Sequence, residues 1–421
     1  MGTPSHILAP LLDAAAAIGI LIAAAQLVVL RRHLRCPPAA SGWPAPSPID
    51  PPAPPISILK PLCGVDDQLE ENLRCFADLP YPRYEVLLGV RGTGDAAYPI
   101  AAAAALRWPA RFRVVIQAAA PGLNPKVNQL IALLSAARYD LIVISDSNTR
   151  VGADYLAEIA ARLGGDPGVG LVTHPIAGSG ERAGGACLGS LLDNLHLTGT
   201  ITPGIAAARQ LCGKSYVVGK SMAMRRRDVE ALGGFEAVKD VLAEDFVLGR
   251  LVAGVLGKRV VLGRSIVECI SVRHRLPAFL HRYARWSVMQ RQCAGLPAYL
   301  ALLLLNPILL GLAALALAPS ALTAGALAAC ALSRMAADAM AGRLLRGRGF
   351  AAHALLWVPL KDLLAGAAWC YGLVRRSIEW RANHLIVLRG SVLRLALSSA
   401  RARTGDQRRR GFGRGRTSAA A

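Results

Sequence analysis

Acidic and aromatic side chains are scarce in this chain. Against 48 Lys and Arg stand only 27 Asp and Glu, and Phe, Trp and Tyr make up 5% of the 421 residues. With so few rings and no RNA-binding or zinc-finger pattern, the net charge of +21 does not read as a nucleic-acid-binding surface. Charge of either sign is also short, at 18% against roughly 25% in soluble domains, while 53% of residues are hydrophobic and the mean hydropathy is positive. Much apolar surface must therefore face lipid, and the basic excess reads as cytoplasmic loops flanking membrane spans. The nine cysteines include no close pair such as CxxC, which argues against a zinc site or a secreted disulfide framework. They read as mostly buried thiols in a reducing compartment. No internal repeat is evident.

Residues 7–30 form an apolar run of about the length that crosses a bilayer, broken only by Asp13 and Gln26. Arg31, Arg32, His33 and Arg35 follow, and no small-residue cleavage site does, so residues 1–36 are expected to be a retained anchor with the chain beyond it in the cytoplasm. Residues 37–55 are crowded with proline and read as an extended linker. In 56–292, short apolar runs at 56–59, 84–90, 112–116, 141–144 and 169–173 read as strands, and helical patterns fall between them at 69–76, 96–106, 126–136 and 153–163. That alternation predicts an α/β domain with a mostly parallel sheet covered by helices. Ligands bind such sheets beyond the carboxyl ends of the strands, which draws attention to residues just past Val90 and Ile144.

Hydrophobicity returns in 296–375. Residues 296–318 are the clearest spanning candidate there and 321–341 a weaker one; 351–374 is long enough to span but carries Lys361 and Asp362 at its middle, and reads as interfacial or re-entrant. Residues 376–400 are then expected in the cytoplasm, and the Arg- and Gly-rich tail 401–421 to be disordered. Residues 188–211 are mildly apolar and read as a core helix, with a helix dipping into the headgroups as the other reading.

Several constellations could carry chemistry, and each has a plain alternative. Asp146-Ser147-Asn148 follows a buried strand, where a carboxylate can hold a divalent cation against a nucleotide diphosphate; Asp and Asn also simply make turns. Glu244 and Asp245 are adjacent acids among apolar residues, able to raise one another's proton affinity as a base requires, or to sit as the acidic first turn of a helix. Arg282 and Arg285, three apart, share a helix face that could grip a departing diphosphate, with Trp286 walling the acceptor side; such residues also mark any membrane border. Lys126 opens a helix where a phosphate could bind, and Asp95 lies in a glycine-rich loop where it could hold a uracil or ribose or merely a turn.

Taken together, their order resembles the membrane-bound GT-A glycosyltransferases, and more closely the ceramide glucosyltransferases and their bacterial relatives. The matching stretches include Leu59-Lys60-Pro61-Leu62, Tyr81-Pro82-Arg83-Tyr84, Asn124-Pro125-Lys126, Asp146-Ser147, Gly219-Lys220-Ser221-Met222, Ala243-Glu244-Asp245 and Arg282 to Trp286, over about 56–286. The resemblance implies a GT-A fold with a divalent cation, Mg2+ or Mn2+, as cofactor. It makes Asp95 a nucleotide contact, Asp146, with Asn148 beside it, the metal and diphosphate contact, Asp245 the base with Glu244 beside it, and Arg282, Arg285 and Trp286 the closing motif. That motif begins with Arg instead of the Gln usual in processive synthases, which favours addition of a single sugar. Departures are the lone Asp95, flanked by Gly92 and Gly94, and Asn at 148 where a second acid is common.

The expected activity is inverting transfer of one sugar, glucose in the first instance, from a UDP-sugar to a ceramide-like lipid hydroxyl at a bacterial plasma membrane, with no nucleic-acid partner. Alternatives are N-acetylglucosamine transfer to a hopanoid polyol lipid, a processive polysaccharide synthase, and a non-catalytic membrane scaffold with a degenerate transferase domain.

Overall fold

A computed structural model of the protein describes residues 5–35, 53–180, 187–214, 216–380 and 383–396. The Pro-rich linker falls almost wholly outside these residues, and the basic tail wholly so. The centre of the molecule is a seven-stranded sheet of β1 (Ile56–Pro61), β2 (Tyr84–Val90), β3 (Phe112–Ile116), β4 (Leu141–Ser145), β5 (Val169–Thr173), β6 (Ser221–Arg225) and β7 (Arg259–Leu262). Their spatial order is β3-β2-β1-β4-β6-β5-β7. All neighbours run parallel except β6, which is antiparallel to both β4 and β5. This is the GT-A arrangement.

Period-two alternation builds two cores from one sheet. Ile58, Val86 and Val143, in register across β1, β2 and β4, face Leu73, Phe76 and Tyr155 on one side. Leu59, Leu87, Ile142 and Ile144 face the other side, against Val127, Leu130 and Leu133 of the helix Pro125–Ala136. The five expected strands and four expected helices appear within a few residues of their predicted bounds. The sequence reading passes over β6 and β7, which are short, Ser-Met-Ala-Met-Arg and Arg-Val-Val-Leu.

Two smaller sheets complete the domain. One joins Thr149–Arg150, Ile176–Ser179 and Val267–Ile270. The other is an antiparallel sheet of Ser377–Trp380, Asn383–Val387 and Leu393–Leu395, in the region expected to be merely a cytoplasmic segment after the last membrane helix. It returns to the catalytic domain. Ile378, Leu385, Val387 and Leu393 bury against Leu242 and Val288, and the backbone of Ser391 accepts from Leu242 N at 2.8 Å. The domain therefore does not end at 292.

The first helix, Ser5–Arg35, is long and apolar enough over Ile7–Arg35 to cross a bilayer. It packs on the helices Thr202–Cys212, Pro307–Leu317 and Ala321–Arg346. Its last turns bury Leu30 beside Leu262 and Leu345, and His33 Nε2 lies 2.8 Å from the carbonyl of Gly263. The expected straight span at 296–318 is instead two helical pieces, Leu296–Leu305 and Pro307–Leu317, bent by 83°. The bend has a local cause: Pro307 cannot donate to the preceding turn, and Asn306 Oδ1 caps the new helix by accepting from Leu309 N. Residues 351–374 form the helices Ala352–Leu355 and Val358–Val374. The segment read as a core helix at 188–211 is Leu188–His196, a π-helical turn Leu197–Ile201, and Thr202–Cys212, with Leu192 and Leu195 fully buried. Among the described cysteines none is paired, and only Cys269 and Cys330 are buried, while Cys63, Cys212 and Cys370 are exposed. The expectation of mostly buried thiols does not hold.

Candidate active site

Sheet topology brings the candidate residues to one edge. β4 ends at Ser145 and its neighbour β6 begins at Ser221, directly opposite in the antiparallel register. Asp146, leaving β4, and Lys220, entering β6, are therefore forced together. Lys220 Nζ lies 2.9 Å from Asp146 Oδ2 and 2.8 Å from Asn148 Oδ1. Lys126, at the start of the helix Pro125–Ala136, closes the other side: its Nζ lies 2.9 Å from Asp146 Oδ1 and 3.0 Å from Glu244 Oε1, and donates to the Gly219 carbonyl at 2.9 Å. The helix start is fixed by Asn124, whose Oδ1 accepts from Lys126 N and Val127 N and whose Nδ2 donates to Glu244 Oε2 at 3.2 Å.

The result is a chain of alternating charges, Lys220–Asp146–Lys126–Glu244. Burial alone would lower the pKa of Lys126, but the Asp146 and Glu244 carboxylates outweigh it and hold the ammonium above its ordinary range. Burial would likewise raise Asp146, and the two lysines more than reverse it, holding the carboxyl well below the usual range. Beneath them Lys60, at the end of β1, is fully buried; its Nζ donates to the Asp146 carbonyl at 2.8 Å and to Ser145 Oγ at 3.1 Å, over the Phe76 ring. Burial, partly offset by Asp146, lowers its pKa to about 7.

Asp245 is the one acid of the group without a lysine against it. Its Oδ2 accepts from Gly219 N at 2.7 Å and its Oδ1 from Phe246 N at 2.8 Å. Position 219 has to be small, because an added Cβ would lie 2.8 Å from Asp245 Oδ2. Desolvation, then the adjacent Glu244 charge, push the Asp245 pKa up to about 6 against the counter-pull of Lys126. The two neighbouring acids are thus differentiated by their surroundings. Glu244 is buried with both oxygens engaged, whereas Asp245 is partly exposed.

Of the other candidates, Asp95 joins the same edge through the loop after β1. Its Oδ1 accepts from Gly64 N at 2.8 Å and from Ala97 N at 2.9 Å, and in that loop Asp66 accepts from the Ser147 hydroxyl. The loop thus links Asp95 to the Asp146 turn. Arg282 is engaged elsewhere: its Nη1 lies 2.5 Å from Asp193 Oδ2, and Tyr283 OH donates to Asp193 Oδ1 at 2.8 Å. The Asp193 charge, against the opposing effect of burial, raises the Arg282 pKa further. Cys269, pushed up to about 12 by burial, feels the charges of Lys220, Asp146, Asp193 and Arg282, so the motif helix Leu276–Ala294 stands close by. Arg285 lies 5.8 Å over the Trp380 ring of the returning C-terminal sheet, and Trp286 packs edge-on to Tyr283.

As arranged, the donor set does not fit the expected divalent cation. One carboxylate faces two ammonium groups, and the carbonyl oxygen of Asn148 is turned to Lys220, with its Nδ2 donating to Ile270 O at 3.1 Å. Among the described residues no three His, Cys, Asp or Glu side chains gather at one point. The sequence gives Lys220, Lys60 and Asp193 no role of their own. The usable signal was a lysine next to a strand end, since strand ends ring the ligand site in such sheets.

The profile of glycosyl transferase family 21 matches residues 11–393. The chain belongs to that family. A ceramide glucosyltransferase 3 of Caenorhabditis elegans is 26% identical over 239 residues, 55% of this chain and 50% of its own length. A ceramide glucosyltransferase of Komagataella phaffii is 31% identical over 109 residues, 25% of this chain and 21% of its own length. The chain spans about half the length of the worm relatives it matches. Among solved structures, a mannosyltransferase from Pyrobaculum calidifontis in complex with GDP-Man and Mn2+ aligns over 86% of this chain and 99% of its own, at 19% identity and a TM-score of 0.43. Glucosyl-3-phosphoglycerate synthase from Mycobacterium tuberculosis, with Mg2+ and uridine diphosphate, covers 57% of this chain and 76% of its own, at 19% identity and a TM-score of 0.34.

Proposed function

We propose that this family 21 chain transfers a single sugar from a UDP-sugar to the hydroxyl of a ceramide-like membrane lipid, with inversion at the anomeric carbon. Glucose is the sugar this reading favours, from the ceramide glucosyltransferase relatives. One observation carries it: two adjacent acids are divided into a lysine-paired Glu244 and a base-ready Asp245 beside a lysine-lined carboxylate turn. In the reaction the lipid oxygen attacks the anomeric carbon, the bond from that carbon to the diphosphate oxygen breaks, and the hydroxyl proton passes to Asp245. A carboxyl with a pKa near 6 is ionised at neutral pH and still holds a proton better than an ordinary aspartate.

Lys126 and Lys220 supply fixed positive charge for the departing diphosphate, a role the sequence reading assigned to a metal together with Arg282 and Arg285. Glu244 keeps Lys126 in place and acts as a positioning residue. Arg282 and Arg285 lie on the motif helix, and on this reading they meet the departing diphosphate while Asp95 contacts the base or ribose.

The acceptor reading rests on the apolar surface. Ile7, Leu11 and Leu21 of the first helix are 69%, 61% and 69% exposed, and Leu322, Leu332 and Val374 of the C-terminal helices are 79%, 65% and 74% exposed. Side chains of that size and number left open call for a lipid environment. The direct test is incubation of the purified protein with a panel of UDP-sugars and a lipid extract, with the product identified by mass spectrometry. Asp245→Asn should abolish transfer while leaving donor binding measurable; near-normal transfer by that variant would refute the assignment.

A further inference from the structure

The helix that begins with Glu244 and Asp245 forms one wall of a cavity of about 800 Å³, with Arg250, Arg291, Arg376 and Arg389 in its lining and no acidic residue among those that line it. These four come from three separate places: the helix Glu244–Gly254, the last turn of the helix Leu276–Ala294, and the returning C-terminal sheet. Arg250, Arg376 and Arg389 are exposed, and among the described residues none has a carboxylate partner; Arg291 donates to the Gly372 carbonyl at 3.3 Å. Arginines from separate elements that converge without acids repel one another. They are tolerated when an anion joins them, and the guanidinium fork is matched to phosphate oxygens.

Its location indicates which anion. The cavity also touches Gly295 and Leu296, where the helix Leu276–Ala294 ends and the apolar segment begins. Leu296 and Leu300 there are 48% and 44% exposed. A ligand seated in the cavity therefore meets guanidinium groups at one end and open aliphatic surface at the other. The volume lies within the usual range for a small-ligand site.

We infer that this cavity binds the phosphate headgroup of an anionic membrane lipid, its acyl chains running out along Leu296 and Leu300. Binding would clamp the C-terminal sheet to the motif helix and so join the catalytic domain to the bilayer surface. The inference stands whether or not the proposed transfer reaction is correct.

The test uses the full-length protein in neutral detergent, titrated with dioctanoyl phosphatidylglycerol, dioctanoyl phosphatidylcholine or inorganic phosphate, with dissociation constants taken from thermal shift. Phosphatidylglycerol should bind and phosphatidylcholine should not. R376Q/R389Q should weaken phosphatidylglycerol binding at least about tenfold, given the typical worth of a basic residue beside anionic lipid. Because the basic tail also attracts anionic lipid, a control variant replaces Arg408, Arg409 and Arg410 by Gln and should leave the constant within about twofold. Should R376Q/R389Q lose its lipid-free melting transition, the single exposed variant R250Q serves, with a smaller loss in the same direction. Equal binding of the two lipids, an unchanged constant in R376Q/R389Q, or inorganic phosphate binding as tightly as phosphatidylglycerol would each overturn the lipid assignment.

Discussion

Replacing Asp245 by Asn separates a base from a structural acid, because the two roles predict opposite trends of stability with pH. A carboxyl whose pKa is raised on folding from the ordinary 3.8 to about 6 is held in a place that disfavours its charge. Its contribution to stability is full below about pH 3.8 and is lost as pH rises through about 6, so at pH 8 the folded protein carries an ionised group it would rather not have. The gap corresponds to at most about 3 kcal/mol at 1.36 kcal/mol per pH unit, an upper bound because the side chain is partly exposed. Asn keeps the shape and removes the charge; its amide oxygen can still accept from Gly219 N, but its NH2 then faces Phe246 N, which loses its acceptor, a cost of about 1–3 kcal/mol that is the same at every pH. The variant should therefore be inactive, and its melting temperature relative to the parent should be several degrees higher at pH 8 than at pH 5. Paired thermal scans at the two pH values, together with transfer assays, measure both effects. An inactive variant whose melting temperature relative to the parent does not rise between pH 5 and pH 8 would show that Asp245 carries no raised pKa, and the reasoning that makes it the base would fail.

Three further outcomes follow from the same contacts. If lysines neutralise the leaving diphosphate, Lys220→Gln should cost on the order of a hundredfold in turnover, whereas chelation by EDTA should cost less than about threefold; loss with EDTA that Mn2+ or Mg2+ restores would return the role to a metal. Glu244→Gln removes the charge that helps raise Asp245, so the acid limb of the rate profile, which falls about tenfold per pH unit below the pKa of Asp245, should move to lower pH; an unmoved limb refutes the coupling. Ser391→Ala removes the bond its Oγ accepts from Ala243 N at 3.1 Å, a loss of about 1–3 kcal/mol for a buried donor left unpaired, readable as a lower melting temperature.

The parts of the molecule legible in sequence are those whose physics is local. β1 to β5 announce themselves as apolar runs between turn residues, and the first helix as a long apolar stretch broken only by Asp13 and Gln26. β6 is written as Ser-Met-Ala-Met-Arg, short and with no β-branched residue, so its place beside β4 is decided by pairing and not by propensity. Lys220 belongs to the site only because β6 runs antiparallel to β4, and that direction is a property of the assembled sheet. For the same reason a reading along the chain places Asp146 but not the cations that reach it from Lys126 and Lys220. The C-terminal sheet escaped because its strands are three to five residues long, and what identifies it is its docking on Leu242 and Val288. The resemblance names Asp95, Asp146 and Asp245 in chain order, while the different contacts of Glu244 and Asp245 follow from which of them Lys126 touches.

The charges at the middle of the last helices also acquire a purpose in three dimensions. Arg334, Asp338, Lys361 and Asp362 are buried together as two cations and two anions, so the helices bring no net charge inward. Arg334 Nε lies 2.8 Å from Asp362 and its Nη2 3.2 Å from Asp338; Lys361 pairs with Asp338, and both cations reach Thr200 Oγ1, at 3.1 and 3.4 Å. Thr200 belongs to the π-helical turn that continues the helix of Asp193, and Asp193 holds Arg282 and Tyr283 of the motif helix. Gly199 lies so close to Asp338 that any added Cβ would overlap its carboxylate. Packing of the C-terminal helices and placement of the arginine motif are therefore one mechanical system. Lys361→Met would leave Asp338 with one cation in place of two, a loss approaching about 3–5 kcal/mol, and the double variant with Asp338→Asn should lose less than the sum of the two single changes. In the fraction that still folds, Lys361→Met should also raise the donor KM, because Asp193 and with it Arg282 shift when the π turn loses its hold. An unchanged donor KM in folded protein would mean that the quartet stabilises the helices alone and has no connection to the site.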